Sequence, residues 1–234
     1  MRTLALLVVL CACNNAQPPA PTPTPSVRVA RPEIAFVELR PHGATDASPL
    51  LIAFHGMGDT PENFAAAFED FPAAAEILVP RGIHPRGDGF AWYRLGSPAE
   101  MAADIRNTVD AVWPAIKARA KGRPIFVTGF SQGGVMTFAL ARYRPTEIAH
   151  AFPIAGRLMP ELETAKGDPP PAPTDAYHGT ADTMISFEDG QRAIDAFKAA
   201  GGTATMHAYP DVPHTLMPMR SDLFAAIVAA FPAQ

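Results

Sequence analysis

The chain has 234 residues, and its 19 Lys and Arg against 23 Asp and Glu give a formal net charge of −4. It carries no basic tail or stripe, which argues against nucleic-acid binding, because Lys and Arg must replace counterions along the phosphates. The two cysteines of the sequence, Cys11 and Cys13, lie in a segment that we expect to be processed. A disulfide-built fold, a zinc site or another cofactor is therefore not expected.

The first twelve residues have the pattern of an export signal. Arg2 supplies a positive charge and residues 4–10 are apolar, a run shorter than the roughly 20 residues that cross a bilayer. The segment Leu10-Cys11-Ala12-Cys13 resembles the lipobox of bacterial lipoproteins, which implies lipidation of Cys13. In this lipoprotein pattern, Asp directly after the lipidated cysteine retains a protein at the inner membrane. The chain has Asn14 at that position, which favours the outer membrane.

We therefore expect residues 1–12 to be removed, and the mature protein to be exported and to contact a bacterial membrane through its lipid anchor only. An ordinary cleaved signal with two incidental cysteines is the alternative. Residues 13–32 are rich in Pro, Ala and Thr and predict an extended tether that reaches up to about 60 Å. Residues 33–234 have the length of a single domain, which is large enough for a hydrophobic core.

Strands and helices are expected to alternate through residues 33–234. Apolar runs and period-two patterns predict the strands, and apolar residues at spacings of three and four predict the helices. In chain order we expect strands at 34–40 and 50–54, a helix at 61–71, a strand at 76–80, a helix at 98–121, a strand at 124–128, a helix from 132, strands at 150–154 and 174–178, a helix at 187–200, a strand at 203–209 and a helix at 218–231. This order implies an α/β fold with a mostly parallel central sheet, helices on both faces, and ligands at the carboxyl ends of the strands.

The pentapeptide Gly129-Phe130-Ser131-Gln132-Gly133 lies between an expected strand and an expected helix. A serine raised at a sharp strand-to-helix turn needs residues without bulk two places before and after it, and Gly129 and Gly133 meet that need. The N-terminus of the following helix directs free N–H groups at an anion formed on the target of the serine. The context favours a nucleophile elbow, with Ser131 as nucleophile, over an ordinary turn.

A serine nucleophile needs a base, and the base needs an orienting acid. The histidines that follow the serine, and the carboxylates weighed with them, are His150, His178, His207 and His214, and Asp168, Asp175, Asp182, Asp189 and Asp211. In the chain order Ser, acid, His, we favour His214, which lies in the loop before the last helix. Asp182 follows its strand by a few residues and can reach the same rim. The alternatives are a solvent-exposed loop histidine and a helix-capping aspartate.

Acyl transfer also needs two N–H donors for the tetrahedral oxyanion. The residue after the nucleophile, Gln132, supplies one. The segment His55-Gly56-Met57-Gly58-Asp59 ends a buried strand and supplies the other through the N–H of Met57. A simple tight turn is the alternative, although such a turn does not call for a histidine beside it.

Together these motifs resemble the phospholipase/carboxylesterase family of α/β-hydrolases, which includes acyl-protein thioesterases and bacterial carboxylesterases. The matching segments come in family order, at residues 55–60, 129–134, 155–160, 178–182 and 213–214. The resemblance implies an α/β-hydrolase fold, a triad of Ser131, Asp182 and His214, and an oxyanion hole formed by Met57 and Gln132.

The resemblance also extends to an aromatic pair, because Trp92 and Tyr93 match one near the active-site rim of the family. Two positions depart from the family pattern. Its Val-Pro after the acid is Ile185-Ser186 here, and its Gly before the base is Pro213. These departures concern the geometry of the two loops that carry the acid and the base.

The length of the segment between two of the expected strands limits the substrate class. Residues 156–173 separate two expected strands and are too few for a large lid domain, so we expect an open cleft that favours small or soluble acyl esters. Met57, Trp92, Tyr93 and Met184 are candidate walls of an apolar acyl pocket, and ordinary core packing is the alternative for each. The leading hypothesis is a serine carboxylesterase for short to medium acyl esters or thioesters.

Other functions remain open at this point. Within hydrolases, an export signal makes feruloyl or acetyl esters of plant polysaccharide and polyhydroxyalkanoate oligomers plausible, whereas a serine peptidase would usually add a further domain. A surface binding module with a hydrolase fold belongs to a different class and predicts a broken triad. Acyl-chain length, leaving group and oligomeric state are not specified by the sequence.

Overall fold

A mostly parallel sheet forms the centre of the protein in a computed structural model that describes residues 34–165 and 167–232. The strands are β1 Phe36–Leu39, β2 Leu50–Phe54, β3 Glu76–Pro80, β4 His84–Arg86, β5 Gly89–Ala91, β6 Ile125–Phe130, β7 Ile148–Ile154, β8 Thr174–Gly179 and β9 Ala204–Tyr209. The central sheet has the order β1-β3-β2-β6-β7-β8-β9, with β1 antiparallel to β3 and the other pairs parallel. Strands β4 and β5 form a separate hairpin.

Five α-helices join these strands within the described part of the chain. They are α1 Pro61–Ala65, α2 Pro98–Ala120, α3 Gln132–Tyr143, α4 Phe187–Ala199 and α5 Arg220–Ala230. Helix α2 begins with a capping box. The Ser97 side chain accepts a hydrogen bond from the N–H of Glu100, and the Glu100 side chain accepts one from the N–H of Ser97. As expected from its fixed φ, Pro98 opens this helix.

The sheet is buried on both faces. Apolar residues of α2, α3 and α4 pack on one face, and residues of α1 and α5 such as Phe64, Leu223 and Ile227 pack on the other. Strand β2 is buried at every position, as the continuous apolar run predicts for a parallel strand covered on both faces. The predicted α/β-hydrolase fold is confirmed.

Several element boundaries differ from the expectation. The predicted helix at 61–71 is α1 followed by a 3₁₀ turn at Ala66–Phe68, and α5 begins at Arg220 after a 3₁₀ turn at Met217–Met219. Strand β7 begins two residues early, at Ile148. The hairpin of β4 and β5 was not predicted, because its strands have three residues each and contain a proline and a glycine.

The described residues between β7 and β8 form no lid domain. The described part of this connection contains one short 3₁₀ turn, Pro160–Leu162. In the described ranges, no helix is both long and apolar enough to cross a membrane. The predictions for residues 1–32, including lipidation of Cys13, lie outside the described residues.

Candidate active site

Ser131 lies in the elbow between the central strand β6 and helix α3, with φ 58° and ψ −116°. Its N–H donates to the carbonyl of Ile154 at 3.0 Å, which ties the elbow to β7. A Cβ on Gly133 would lie 1.9 Å from the carbonyl oxygen of Phe54, so only glycine fits there. The glycine two places after the serine is therefore required by close packing against β2.

The structure brings the predicted base and acid to this serine. His214 Nε2 lies 2.9 Å from Ser131 Oγ, and His214 Nδ1 lies 2.6 Å from Asp182 Oδ2. A serine whose hydroxyl contacts an imidazole, itself oriented by a carboxylate, has the geometry of a nucleophile and general base.

Asp182 is held as an anion by backbone donors as well as by the histidine. Its side chain is fully buried, and Oδ1 accepts from the N–H groups of Met184 at 2.8 Å and Ile185 at 3.0 Å. Burial by itself raises the pKa of this carboxyl, but the hydrogen bonds from His214, Ile185 and Met184 outweigh it and lower the pKa. Asp182 is therefore suited to stabilise an imidazolium that forms at His214.

Two hydrogen bonds join the loops that carry the acid and the base. The N–H of Thr180 donates to the carbonyl of Tyr209 at 2.9 Å, and the N–H of Ala181 donates to the carbonyl of Val212 at 3.1 Å. These contacts continue the pairing of β8 with β9 beyond the strand ends. Parallel pairing of neighbouring strands thus brings together residues that are 32 positions apart.

Several of the rival candidates lie outside the site. His150 and His207 contact Asp175 at 2.8 and 3.4 Å, in a cluster on strands β7, β8 and β9. Of the other carboxylates weighed, Asp168 and Asp189 pair with arginines. These residues have structural partners outside the site. His178 lies beside Asp182, but the contact with Ser131 Oγ runs through His214 to Asp182.

The predicted oxyanion donors lie on either side of the elbow. Gln132 is the first residue of α3, and Met57 lies in the loop after β2, the neighbour of β6 in the sheet. Within the ranges that the structure describes, no protein acceptor takes the N–H of Met57 or of Gln132. Neither N–H group is thus committed to a partner within the described protein, as an oxyanion donor requires.

His55 supports the loop that carries Met57. Gly82 donates its N–H to His55 Nε2 at 3.1 Å, so the proton of the ring lies on Nδ1, which donates to the carbonyl of Gly56 at 2.7 Å. Burial lowers the pKa of this imidazole, so that the neutral form persists. The histidine of the predicted oxyanion motif thus has a structural task and does not contact Ser131.

The side chain of Gln132 has a role that the sequence did not suggest. Its Oε1 accepts from the N–H of Trp92 and its Nε2 donates to the carbonyl of Tyr93, each at 2.9 Å. The indole N–H of Trp92 in turn donates to the carbonyl of His55 at 2.8 Å. These bonds join the elbow, the aromatic pair and the oxyanion loop into one unit. The sequence feature that could have suggested this role is a glutamine directly after the nucleophile, together with a Trp-aromatic dipeptide earlier in the chain.

The predicted pocket walls divide into two groups. Trp92 is 0% exposed and Tyr93 is 6% exposed, and burial raises the pKa of Tyr93 to about 12. A role of these two side chains as pocket walls does not fit this burial, because they have too little free surface to contact a substrate. Met57 and Met184, by contrast, are 40% and 73% exposed on loops next to the triad.

A metal centre was not predicted, and no group of three or more His, Cys, Asp or Glu side chains in the described ranges is arranged to hold a metal ion.

A family model and individual relatives both assign the chain to the same family of esterases. A family model described as phospholipase/carboxylesterase matches residues 40–222. Acyl-protein thioesterase 1 of Mycosarcoma maydis is 29% identical, over 84% of this chain and 97% of that protein. Carboxylesterase SOBER1 of Arabidopsis thaliana is 28% identical over 53% of this chain, and esterase NocK of Nocardia uniformis, named as putative, is 27% identical over 79% of it. The chain spans 57% and 64% of the length of these two relatives.

Solved structures show the same fold at lower identity. The crystal structure of esterase PE8 superposes with a TM-score of 0.73 at 19% identity, over 85% of this chain and 99% of that chain. Arabidopsis SOBER1 superposes with a TM-score of 0.66 at 22% identity, over 78% of this chain and 98% of that chain. At such identities the likeness shows a shared fold and carries no statement about substrate.

Proposed function

Because the chain belongs to the phospholipase/carboxylesterase family, we propose that it is a serine hydrolase that cleaves short to medium acyl esters or thioesters through an acyl-enzyme on Ser131. The observation that carries this proposal is the continuous contact from Ser131 Oγ through His214 to Asp182, at 2.9 and 2.6 Å. A hydroxyl, an imidazole and a carboxylate in this order are the groups that acyl transfer needs.

In the first half of the proposed reaction, Ser131 Oγ attacks the carbonyl carbon of the ester while His214 Nε2 takes the hydroxyl proton. The carbonyl oxygen becomes an oxyanion, which accepts from the N–H groups of Met57 and Gln132. Asp182 stabilises the imidazolium and holds its Nδ1 proton. His214 then gives the proton to the leaving alcohol or thiol as the bond to the acyl carbon breaks, which leaves the acyl group on Ser131.

In the second half, water replaces the leaving group. His214 removes a proton from water, and the resulting nucleophile attacks the acyl carbon of the Ser131 ester. The oxyanion forms again at the same two N–H groups, and its collapse returns the proton to Ser131 Oγ and releases the acid. Each proton is moved by one imidazole, so the reaction needs no cofactor.

The exposed methionines support acyl substrates of moderate size. Met57 and Met184 lie on the oxyanion loop and the acid loop, and their side chains present flexible apolar surface beside the nucleophile. The names of the relatives, which include an acyl-protein thioesterase and carboxylesterases, support a carboxylic ester or thioester as the bond that is cleaved. A feruloyl or acetyl esterase, or an esterase for polyhydroxyalkanoate oligomers, remains the alternative within this class.

The proposal includes a place of action. The export pattern of residues 1–12 and the lipobox-like segment that ends at Cys13 support an exported enzyme that is lipid-anchored to a bacterial membrane, preferably the outer membrane. Incorporation of radiolabelled palmitate should then be lost in Cys13→Ala. Unchanged labelling of that variant would exclude Cys13 as the site of attachment.

Hydrolysis of p-nitrophenyl esters from acetate to decanoate tests the proposed activity. The wild type should hydrolyse the shorter members, and Ser131→Ala should lose nearly all of this rate. A fluorophosphonate probe should label the wild type on Ser131 and leave the variant unlabelled. Equal rates in wild type and Ser131→Ala, or no adduct on Ser131, would favour a non-catalytic binding module instead.

A further inference from the structure

The mechanism leaves one buried titratable side chain beside the acid without a task. His178 lies near the end of β8, and its side chain is 1% exposed. Its Nε2 lies 3.0 Å from the carbonyl oxygen of Ile185 and 3.3 Å from Asp182 Oδ2. The imidazole thus contacts both the acid and the turn that follows it.

The tautomer of this imidazole follows from its partners. A carbonyl oxygen only accepts, so the contact with Ile185 places a proton on Nε2 of His178. That N–H donates to Ile185, and its positive end also faces the carboxylate oxygen that accepts from His214. The other carboxylate oxygen accepts from the N–H groups of Met184 and Ile185. One oxygen of the Asp182 carboxylate is therefore held by N–H groups of its own turn, and the N–H of His178 lies beside the other oxygen.

The ring of His178 is itself held in place by helix α4. A Cβ built on Gly190 would lie 2.4 Å from His178 Nδ1, so the helix backbone packs directly against the ring. The ring of Phe187 meets it edge to face, with a centroid separation of 6.0 Å. A ring packed in this way cannot swing away from the turn without displacing α4.

From these contacts we infer that His178 is a positioning residue, which fixes the 182–185 turn through Ile185 and so aims the Asp182 carboxylate at His214. The inference rests on the proposed function of the triad. His178 is buried and lies behind the acid, so it acts through Asp182 and not on the substrate. Loss of its N–H should let the turn and the carboxylate rotate, which lowers kcat and leaves KM nearly unchanged.

A matched pair of amide variants tests this inference. Glutamine at this position places its amide nitrogen close to the place of Nε2, whereas asparagine is too short to reach Ile185. We expect His178→Gln to keep most of the wild-type kcat, and His178→Asn to lower kcat by roughly 10- to 100-fold with KM within about twofold of the wild type. His150→Gln, which changes a histidine paired with a carboxylate outside the site, serves as control and should keep the wild-type kcat.

A second readout does not depend on turnover. The low-field proton resonance of His214 Nδ1–H reports the bond to Asp182, and it should be displaced in His178→Asn but retained in His178→Gln. If the two variants have the same kcat and the same resonance, the inference is overturned. If the wild type hydrolyses no ester, the proposed function fails, and the resonance of the two variants still decides whether His178 positions the acid.

Discussion

Ser131 occupies a backbone conformation that residues with a side chain rarely adopt. Such strain costs about 1–3 kcal/mol and persists only where the surroundings fix it. Here the hydrogen bond to Ile154 and the tight packing of Gly133 on Phe54 hold the turn. The strain raises the hydroxyl toward His214, at the start of a helix whose first N–H is available to an oxyanion.

This strain should be measurable in two inactive variants. Ser131→Gly removes the side chain and the steric penalty of positive φ, whereas Ser131→Ala keeps the penalty. We expect the glycine variant to have the higher free energy of unfolding, by about 1 kcal/mol after the entropy of glycine in the unfolded chain is counted. Urea denaturation measures the difference. An alanine variant at least as stable as the glycine variant would show that the elbow is not strained.

At the scale of elements, the hairpin of β4 and β5 braces the oxyanion loop. Gly58 donates to the carbonyl of Phe90 at 2.7 Å, and Phe90 donates to the carbonyl of Asp59 at 2.9 Å. This pairing fixes the backbone directly after Met57. The hairpin thus positions the N–H group of Met57, although Met57 is not part of the hairpin.

A substitution in the hairpin should therefore impair catalysis. A Cβ on Gly89 would lie 2.3 Å from the carbonyl oxygen of Gly58, so Gly89→Ala must displace the oxyanion loop. We expect kcat to fall by roughly 10- to 100-fold, because one oxyanion donor moves out of place.

Gly87→Asn is the matched control, since a Cβ at this position of the same hairpin meets nothing within 4 Å and asparagine tolerates its φ of 59°. Steady-state kinetics on p-nitrophenyl butyrate compare the two variants. Equal kcat in both would show that the hairpin does not position the oxyanion loop.

Strands β7, β8 and β9 share a second polar cluster that should contribute to stability. The hydrogen bond from His150, with smaller contributions from His207, lowers the pKa of Asp175 despite its partial burial. A lowered pKa in the folded state means that the carboxylate stabilises the fold above the unfolded value near 3.8, and that this stability is lost as the pH falls through the lower folded pKa.

Asp175→Asn should therefore lower the free energy of unfolding by on the order of 1 kcal/mol at pH 6, and by progressively less below about pH 4. Urea titrations of variant and wild type at a series of pH values measure this difference. Ester hydrolysis should be retained, because the cluster is separate from the triad. A stability difference that grows as the pH falls would contradict the assignment.

At the scale of the whole molecule, the active site lies at the carboxyl edge of the sheet, and the described part of the β7–β8 connection contains no lid domain. Met57 and Met184, on the loops that carry an oxyanion donor and the acid, are large apolar side chains of the described residues. Both side chains are exposed to solvent in the described structure. We therefore expect the site to be accessible before any interface is present.

The open site predicts kinetics without interfacial activation. The rate of tributyrin hydrolysis should rise smoothly and saturate with dissolved substrate, with no step at its solubility limit. A lipase with a lid, assayed in parallel, provides the contrasting curve. A sharp increase of the rate at the solubility limit would show that part of this protein must move to open the site.

Local patterns in the sequence predicted the order of the strands and helices of the central sheet. They also singled out Ser131, Asp182 and His214, whose side chains are in contact in the structure. Periodicity reflects which faces of each element are buried, and chain order restricts which histidine and aspartate can reach the serine. Element ends were less well predicted, because 3₁₀ turns such as Ala66–Phe68 continue a helical pattern. The short strands of the β4 and β5 hairpin leave too few residues for a periodic signal.

Burial and long-range contact were decided by the tertiary structure alone. The sequence left Trp92 open between a pocket wall near the rim and ordinary core packing. In the structure its side chain is buried, and its indole N–H donates to the carbonyl of His55, 37 positions away. Likewise His178 and the side chain of Gln132 acquire their roles from partners on other elements. A sequence determines which groups are available and along which face they lie, whereas the packing of separate elements determines which polar groups meet, because each buried donor must find an acceptor wherever the fold brings one.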